Sequence, residues 1–137
     1  MNKAIFFDRD GVINDVIFRK NKPSAPRSFS EFIVDKEKIN IINELSKTYL
    51  IFVVSNQPDV QRGKMKIEEL TKMNHFLNEN IILKEIVNEI RDDNKFKKPS
   101  PYMIDMLCKK YSINKNKSFI VGDRWVDILS GKRSGVK

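Results

Sequence analysis

Four short apolar runs recur along the chain, and each one stops at a polar residue. They cover Ala4-Ile5-Phe6-Phe7, residues 49–54, a stretch near residues 85–90, and residues 118–122. A run of this length with no polar interruption is typical of a strand buried on both faces of a sheet. Such strands leave few choices of fold, because a sheet buried on both faces needs helices above and below it.

Helical patterns occupy the segments between and after the apolar runs. Apolar residues recur at helical spacing over residues 36–47 and residues 67–77. A third helix is expected after Pro99 and Pro101, since proline suits the start of a helix but not its middle. A fourth helical segment begins around Val126. Strand and helix thus alternate four times, which predicts parallel strands joined by helical crossovers.

We therefore predict an α/β fold, a Rossmann-like parallel sheet with helices on both faces in three layers. The polar, proline-containing stretch from Asn14 to Ser30 is interpreted as a loop. No internal repeat and no second domain is indicated, so residues 1–137 are expected to form one domain. The chain stops at Ser134-Gly135-Val136-Lys137, where another strand could begin, and we expect this C-terminal strand to be missing.

Composition is that of an ordinary globular protein with a basic charge. Lys plus Arg outnumber Asp plus Glu by 26 to 18, giving a formal net charge of +8. This charge attracts anions such as phosphorylated metabolites, nucleic acid or acidic membranes, although we interpret most of the lysines as solvated surface. No run approaches membrane-spanning length, and the first strand is too short for a signal peptide. A cytoplasmic location without membrane contact is therefore expected.

Two isolated residues are assigned no chemistry. The single cysteine, Cys108, excludes an intramolecular disulfide and lies in an apolar helical stretch, so it is expected in the core. His75 has no nearby cysteine or second histidine, and we predict a surface or capping position for it.

Polar side chains able to bind a cation or a phosphate follow the predicted strands. They are Asp8 and Asp10 after the first strand, Ser55 and Asn56 after the second, Lys98 before the third helix, and Asp123 after the fourth strand. Ligands of open parallel sheets bind at the carboxyl ends of the strands. We therefore expect these side chains to meet at one edge of the sheet.

This combination of residues suits phosphoryl transfer. Three clustered carboxylates repel one another unless a cation joins them, and hard oxygen ligands select Mg²⁺. A Mg²⁺ site with open positions attracts a phosphate oxygen, while the Ser55 hydroxyl and the Lys98 ammonium can bind the others. A carboxylate can then attack phosphorus to form an aspartyl-phosphate. Asp10, just past the first strand, can protonate the leaving oxygen and later deprotonate water.

Four segments of the chain, in order, resemble the signature motifs of the haloacid dehalogenase (HAD) superfamily. Phe7-Asp8-Arg9-Asp10-Gly11-Val12-Ile13-Asn14 is similar to its first motif, DxDG(T/V). Ser55-Asn56-Gln57 with Arg62-Gly63 resembles the second, Lys98-Pro99-Ser100-Pro101 the third, and residues 121–128 the fourth. The set is most similar to the capless subgroup of D-glycero-D-manno-heptose 1,7-bisphosphate phosphatases and histidinol-phosphate phosphatases. The resemblance implies a HAD-like fold with no cap domain.

The resemblance also implies roles in catalysis and metal binding. Asp8 would be the nucleophile, and Asp10 would be the general acid/base. Mg²⁺ would be held by the side chains of Asp8 and Asp123 and by the backbone carbonyl of Asp10.

Further roles concern the phosphate and the rest of the substrate. By the same resemblance, Ser55 and Lys98 would bind the transferring phosphate, and Asn56 would position it. Asp127 would orient Lys98. The candidates for contacting the rest of the substrate are Arg62 and Lys97.

The sequence departs from the family at two places. Many members of the subgroup carry a zinc loop of cysteine and histidine before the third motif, whereas residues 88–97 contain neither residue. We therefore expect no zinc, and the loop must be held by other means. Family members also continue past the position of Val136 with a fifth strand and a further helix, so the edge of the fourth strand is expected to be uncovered.

Several functions agree with these patterns. The favoured one is a Mg²⁺-dependent phosphatase of a small phosphorylated metabolite, with heptose bisphosphate preferred and histidinol phosphate second. A polynucleotide 3′-phosphatase would suit the +8 charge, but no basic helix carries interleaved aromatics, so nucleic acid is not expected as a partner. A non-catalytic remnant that binds phosphate or a partner is the hypothesis of a different class. The sequence indicates no oligomeric state.

Overall fold

The computed structural model describes all of residues 1–137. Six strands and four α-helices follow one another along the chain. In order they are β1 (Ala4–Phe7), β2 (Ile17–Arg19), β3 (Lys22–Ser24), α1 (Lys36–Leu45), β4 (Leu50–Asn56), α2 (Ile67–Asn80), β5 (Glu85–Glu89), α3 (Tyr102–Lys110), β6 (Phe119–Val121) and α4 (Trp125–Ser134).

Four of these strands form one parallel sheet in the order β5-β4-β1-β6. β1 lies in the centre, where it pairs with β4 on one side and β6 on the other. All four residues of β1 are buried, because helices cover both faces of the sheet. The predicted Rossmann-like α/β fold is confirmed.

Successive residues of β1 point to opposite faces and enter two separate cores. Ile5 packs with residues of α1 and α2, including the fully buried Met73. Phe6 packs on the other face against α3, and its ring stacks on that of Phe52 with centroids 5.2 Å apart. The three predicted layers are therefore present, with the sheet in the middle.

The prediction of a loop over Asn14 to Ser30 is wrong in part. β2 and β3 form an antiparallel hairpin there, joined by Lys20 and Asn21, both of which have positive φ. A two-residue turn with positive φ at both positions matches the right-handed twist of the paired strands. Each strand has only three residues, too few for an apolar alternation to stand out in the sequence.

The outer edge of β6 is partly paired. No fifth strand follows α4, but the Ile120 amide donates to the Lys137 carbonyl at 2.7 Å, and the Lys137 amide donates to the Ser118 carbonyl at 3.1 Å. The edge of β6 that was expected to be uncovered is therefore paired with one residue, Lys137, through the hydrogen bonds of a β-sheet.

The remaining expectations concern single residues and helix length. Cys108 is buried in α3, as predicted. His75 is exposed on α2 and lies beside Glu79. None of the helices is both long enough and apolar enough to cross a membrane.

Candidate active site

Three carboxylates meet at the carboxyl edge of the sheet. Asp8 directly follows β1, Asp123 follows β6, and Asp127 lies in the first turn of α4. One oxygen from each lies within 4.8 Å of the others. Asp8 and Asp127 are buried and Asp123 is exposed, so the cluster sits at the floor of a cavity of about 750 Å³ that opens to solvent.

The donor set of this cluster fits a hard divalent cation. Carboxylate oxygens are the ligands that Mg²⁺ prefers, and they repel one another while no cation joins them. Asp123 forms no ion pair or side-chain hydrogen bond within the protein, so its carboxylate is available as a ligand. The assignment of Asp8 and Asp123 as the side chains that hold the ion stays a prediction, and their positions are compatible with it.

Lys98 is buried between two of these acids. Its Nζ donates to Asp8 Oδ1 at 2.9 Å, to Asp127 Oδ1 at 2.6 Å and to the Val54 carbonyl at 3.0 Å. Asp127 is fixed in turn, because its Oδ2 accepts from the Arg124 amide at 3.2 Å. Lys98 and Asp127 are thus in direct contact, and the orienting role of Asp127 stays a prediction.

Burial raises the pKa of the Asp8 carboxyl above its ordinary value. Loss of water disfavours the charged form, Lys98 opposes this effect, and the neighbouring Asp127 adds to it. A cation at the cluster would stabilise the carboxylate form, which is the form that can attack phosphorus.

Asn56 binds the backbone of Lys98 in both directions. Its Nδ2 donates to the Lys98 carbonyl at 3.0 Å, and its Oδ1 accepts from the Lys98 amide at 2.8 Å. Both ends of the amide are thereby used to hold the segment that carries the buried lysine. Asn56 also lines the cavity, and its predicted role in positioning phosphate stays a prediction.

Ser55 is linked to Asp10 only through Gln57, whose side-chain amide donates to the hydroxyl of Ser55 at 3.3 Å and to the carboxylate of Asp10 at 2.9 Å. The side chain of Ser55 is buried, does not line the cavity, and donates to Asn88 Oδ1 at 2.7 Å. Asn88 continues the chain of hydrogen bonds to Asn74 at 2.8 Å. The predicted contact between Ser55 and phosphate is therefore not visible in this arrangement and stays a prediction.

Asp10 lines the same cavity but is not one of the three clustered acids. Its Oδ1 accepts two hydrogen bonds from Arg9 at 2.8 and 2.9 Å and one from Asn14 at 3.0 Å, and its Oδ2 accepts from Gln57 at 2.9 Å. Arg9 is fully buried and lies over the Phe32 ring, 5.1 Å from its centroid. Charge-assisted hydrogen bonds of this kind fix a carboxylate firmly.

The residues around Asp10 were not assigned a role from the sequence. The quoted motifs contain Arg9, Asn14 and Gln57. The motifs do not, however, predict that these three side chains donate hydrogen bonds to Asp10. The sequence does offer one clue to the contact between Arg9 and Asp10. Arg9 stands between two aspartates directly after a buried strand, and a buried charged side chain needs a partner of opposite charge.

Cationic side chains surround the mouth of the cavity. Arg62 contacts Asp92 at 2.9 Å and Asp59 at 3.5 Å, and Lys97 also pairs with Asp92. Arg62 and Lys97 thus share the carboxylate of Asp92, and their predicted contact with the substrate stays a prediction. We call the cations that line the cavity outside its acidic floor the rim, and they are Arg27, Arg62, Lys64, Lys97 and Arg124.

The loop that carries Lys97 and Lys98 is held without cysteine or histidine. Arg91 donates twice to Glu89 at 2.7 and 2.9 Å, and its guanidinium lies 3.5 Å from the centroid of the Phe96 ring. The Phe96 ring packs edge-on against Tyr102 at 5.0 Å. An ion pair and a cation–π stack therefore fix the segment between β5 and α3.

Two glycines leave room for the acidic cluster. Gly11 has φ +84°, and a Cβ there would lie 2.3 Å from Asp123 Oδ2. A Cβ at Gly122 would lie 2.3 Å from the Cβ and Cγ of Asp127. Both distances are shorter than any real contact, so these turns pass against the acids only because they lack side chains.

Comparison with known proteins relates the chain to phosphatases. The model of the haloacid dehalogenase-like hydrolases matches residues 36–137. The D-glycero-alpha-D-manno-heptose-1,7-bisphosphate 7-phosphatase of Photorhabdus laumondii is 31% identical, over 98% of this chain and 79% of that protein. A D-glycero-beta-D-manno-heptose-1,7-bisphosphate 7-phosphatase of Helicobacter pylori is 25% identical, over 99% of this chain and 80% of that protein.

A solved structure agrees with the fold. The D,D-heptose 1,7-bisphosphate phosphatase from B. bronchiseptica, complexed with magnesium and phosphate, superimposes with a TM-score of 0.83 at 22% identity. The match covers 98% of this chain and 77% of that one. This chain belongs to the haloacid dehalogenase-like hydrolase family. The family and its phosphatase relatives confirm the prediction that the protein is an enzyme of the phosphatase class.

Proposed function

We propose that this protein is a Mg²⁺-dependent phosphatase of a sugar phosphate, with a heptose bisphosphate as the favoured substrate. The observation that carries the proposal is the buried Asp8, tied to Lys98 and grouped with Asp123 and Asp127 within 4.8 Å at the carboxyl edge of the sheet. Phosphoryl transfer needs a positioned nucleophile and neutralised charge more than it needs covalent machinery, and these residues supply both.

The side chains of Asp8 and Asp123, with the backbone carbonyl of Asp10, would hold Mg²⁺, which supplies charge neutralisation to the phosphate oxygens when bound. A carboxylate oxygen of Asp8 attacks phosphorus, and the bond between phosphorus and the sugar oxygen breaks. Asp10 gives a proton to that leaving oxygen. Lys98 stabilises the negative charge on the transferring group.

The second half of the reaction restores the enzyme. Asp10 takes a proton from a water molecule, and the hydroxide formed attacks the phosphorus of the aspartyl-phosphate. Inorganic phosphate leaves, and the Asp8 carboxylate is free again. The contacts from Arg9, Asn14 and Gln57 would keep Asp10 at one position through both steps.

The rim supports a substrate with a second anionic group. Arg62 and Lys97 lie on neighbouring loops and converge on one carboxylate, Asp92, so a phosphate could occupy a similar place between them. Arginine and lysine are the usual partners of phosphate in proteins. The relatives named as heptose-bisphosphate 7-phosphatases act on sugars that carry two phosphates, which agrees with such a pair of sites.

The first experiment measures phosphate release by the purified chain with Mg²⁺. The substrates are heptose 1,7-bisphosphate, histidinol phosphate and a 3′-phosphorylated oligonucleotide, and we expect the first to have the highest kcat/KM. Asp8→Asn should lower kcat by roughly a thousandfold or more, as is usual for loss of a nucleophile. A thermal unfolding curve of the variant shows whether it is folded.

Two results would contradict the proposal. If the wild type releases phosphate from all three substrates no faster than Asp8→Asn does, the protein binds its ligand without catalysing hydrolysis. Equal rates for the wild type and the variant on one substrate would place the chemistry elsewhere in the chain.

A further inference from the structure

Trp125 is the only tryptophan of the chain, and it is unusually exposed. Its side chain is 64% accessible to solvent, whereas tryptophan is highly buried on average. The indole takes part in no aromatic pair, no cation–π contact and no side-chain hydrogen bond within the protein. Nothing in the packing of the fold therefore accounts for this residue.

The position of Trp125 ties it to the proposed site. It is the first residue of α4, two residues after Asp123, and it lines the same cavity as Asp8 and Lys98. The catalytic arrangement does not use it, because metal binding, attack and charge neutralisation all fall to other residues. A large apolar surface has nevertheless been placed beside the point where the phosphate would bind.

The rest of the cavity makes the indole stand out. Its floor is acidic, its rim is cationic, and the hairpin contributes only small or compact residues, namely Val16, Pro23, Ser24 and Ala25. Trp125 is thus the one extended flat apolar face in a polar cleft. Leaving such a face in water is unfavourable, so a ligand that covers it gains binding energy.

We propose that Trp125 determines specificity by packing its indole against the ring of the sugar whose phosphate lies at Asp8. The inference rests on the proposed function and extends it, since it names the part of the substrate that is recognised between its two phosphates. The C–H face of a pyranose ring would cover the indole, and the rim would bind the distal phosphate. Small-molecule sites commonly combine one aromatic surface with a few placed polar groups in this way.

A sugar suits the cavity better than a nucleobase does. Proteins that stack bases along a strand use several aromatic side chains together with a basic groove. Here Trp125 is the only aromatic residue that lines the cavity, and no second ring lies opposite it to sandwich a base. One aromatic face beside two anion-binding places matches a single ring that carries two phosphates.

The first test uses the fluorescence of this residue, because no other tryptophan contributes to the emission. The Asp8→Asn variant with Mg²⁺ is titrated with heptose 1,7-bisphosphate, which it binds without turnover. We expect a saturable shift of the emission to shorter wavelength as water leaves the indole. Inorganic phosphate and glycerol 3-phosphate, which carry no ring, should leave the emission maximum unchanged.

The second test separates binding from chemistry. Trp125→Ala should raise KM for the heptose bisphosphate by about tenfold while kcat stays within about threefold, and Trp125→Phe should restore most of the affinity. KM for glycerol 3-phosphate should not change. The matched control is Ile128→Ala, which removes an exposed apolar residue of the same helix that does not line the cavity.

Failure of this inference differs from failure of the proposed function. If Trp125→Ala hydrolyses the heptose bisphosphate with an unchanged KM, the inference is wrong and the phosphatase assignment stands. If only a nucleoside 3′-monophosphate or histidinol phosphate shifts the emission, the ring recognised is aromatic and the inference is overturned. Absence of hydrolysis of any sugar phosphate by the wild type would instead contradict the proposed function.

Discussion

A single glycine controls how closely the first motif approaches the fourth. Gly11 has φ +84°, and the space where its Cβ would lie is taken by the carboxylate of Asp123. Gly63 has a similar backbone, φ +76°, but faces open space. The two glycines therefore share a conformation that favours glycine and differ in what stands next to them.

The pair gives a matched test of the acidic cluster. Gly11→Ala and Gly63→Ala should each lose about 1–2 kcal/mol of unfolding free energy, because both place a side chain in the left-handed region. Only Gly11→Ala should also lower kcat/KM, by about ten- to a hundredfold, since Asp123 must move. Urea unfolding and phosphatase assays of both variants provide the measurement. Equal activity in the two variants would show that the position of Asp123 is not critical.

At the residue scale, the sequence predicted which side chains meet but not how they are held. Asp8, Asp123 and Lys98 come together because parallel strands bring their carboxyl ends to one edge, a property that the strand pattern implies. The place of Asp127 beside Lys98 was implied only by the family resemblance. The inward turn of Ser55 toward β5 was not predictable. It depends on the register between β4 and β5, where Ser55 stands opposite Asn88, and no local pattern determines that pairing.

At the scale of elements, the segment between β5 and α3 has the most consequence for the site, since it ends in Lys97 and Lys98. Glu89, the last residue of β5, holds Arg91 by two hydrogen bonds, and Arg91 in turn covers the Phe96 ring. The hydrogen bonds from Arg91 hold the pKa of the Glu89 carboxyl below its ordinary value. The stability of this loop is therefore linked to pH.

Glu89→Gln should reveal that linkage. A carboxyl whose pKa is lowered by folding stabilises the folded state above its unfolded pKa, near 4.5, and loses this contribution as the pH falls through the folded value. The variant should be less stable than the wild type at pH 6, and the difference should shrink below about pH 4.5. Urea unfolding at both pH values measures it.

The control for this experiment is Glu79→Gln. Glu79 is exposed on α2 and pairs only with the exposed His75, so its substitution should leave the pH dependence of stability close to that of the wild type. A stability difference for Glu89→Gln that is the same at pH 6 and at pH 3.5 would contradict the linkage.

The same scale shows where periodicity succeeds and where it fails. β1 and β4 were found because both are buried on both faces and read as continuous apolar runs. The sequence pattern did not predict the hairpin of β2 and β3, because its strands are short, are only partly buried or exposed, and include Pro23. Its stability comes from the turn and from Arg19, which contacts Ser24 at 3.1 Å and Glu31 at 2.6 Å, and these contacts follow no repeat.

At the scale of the whole molecule, the charged side chains of the cavity differ between its floor and its rim. The protein carries a formal net charge of +8, and the floor of its cavity holds three carboxylates with one buried lysine, whereas the rim consists of cations. A cation is thus favoured at depth, and an anion is favoured at the entrance. Exposed charges of this kind are screened by salt over a distance of about 10 Å at 0.1 M ionic strength.

Salt should therefore act more strongly on a substrate with two phosphates than on one with a single phosphate. We expect KM for the heptose bisphosphate to rise severalfold between low and high salt, and KM for glycerol 3-phosphate to rise less. Arg62→Gln should flatten the dependence for the bisphosphate alone. Steady-state kinetics over a sodium chloride series provides the measurement, and parallel slopes for both substrates would contradict a role for the rim.

The carboxylate of Asp92 stands between Arg62 and Lys97, in the place proposed for the distal phosphate. Any anion that binds between these two cations therefore has to share them with a carboxylate that belongs to the chain itself. Chloride and other monovalent anions gain little binding energy when they share Arg62 and Lys97 with Asp92. A dianionic phosphate gains more, so the cleft is shielded from being filled by the commonest small ions around it.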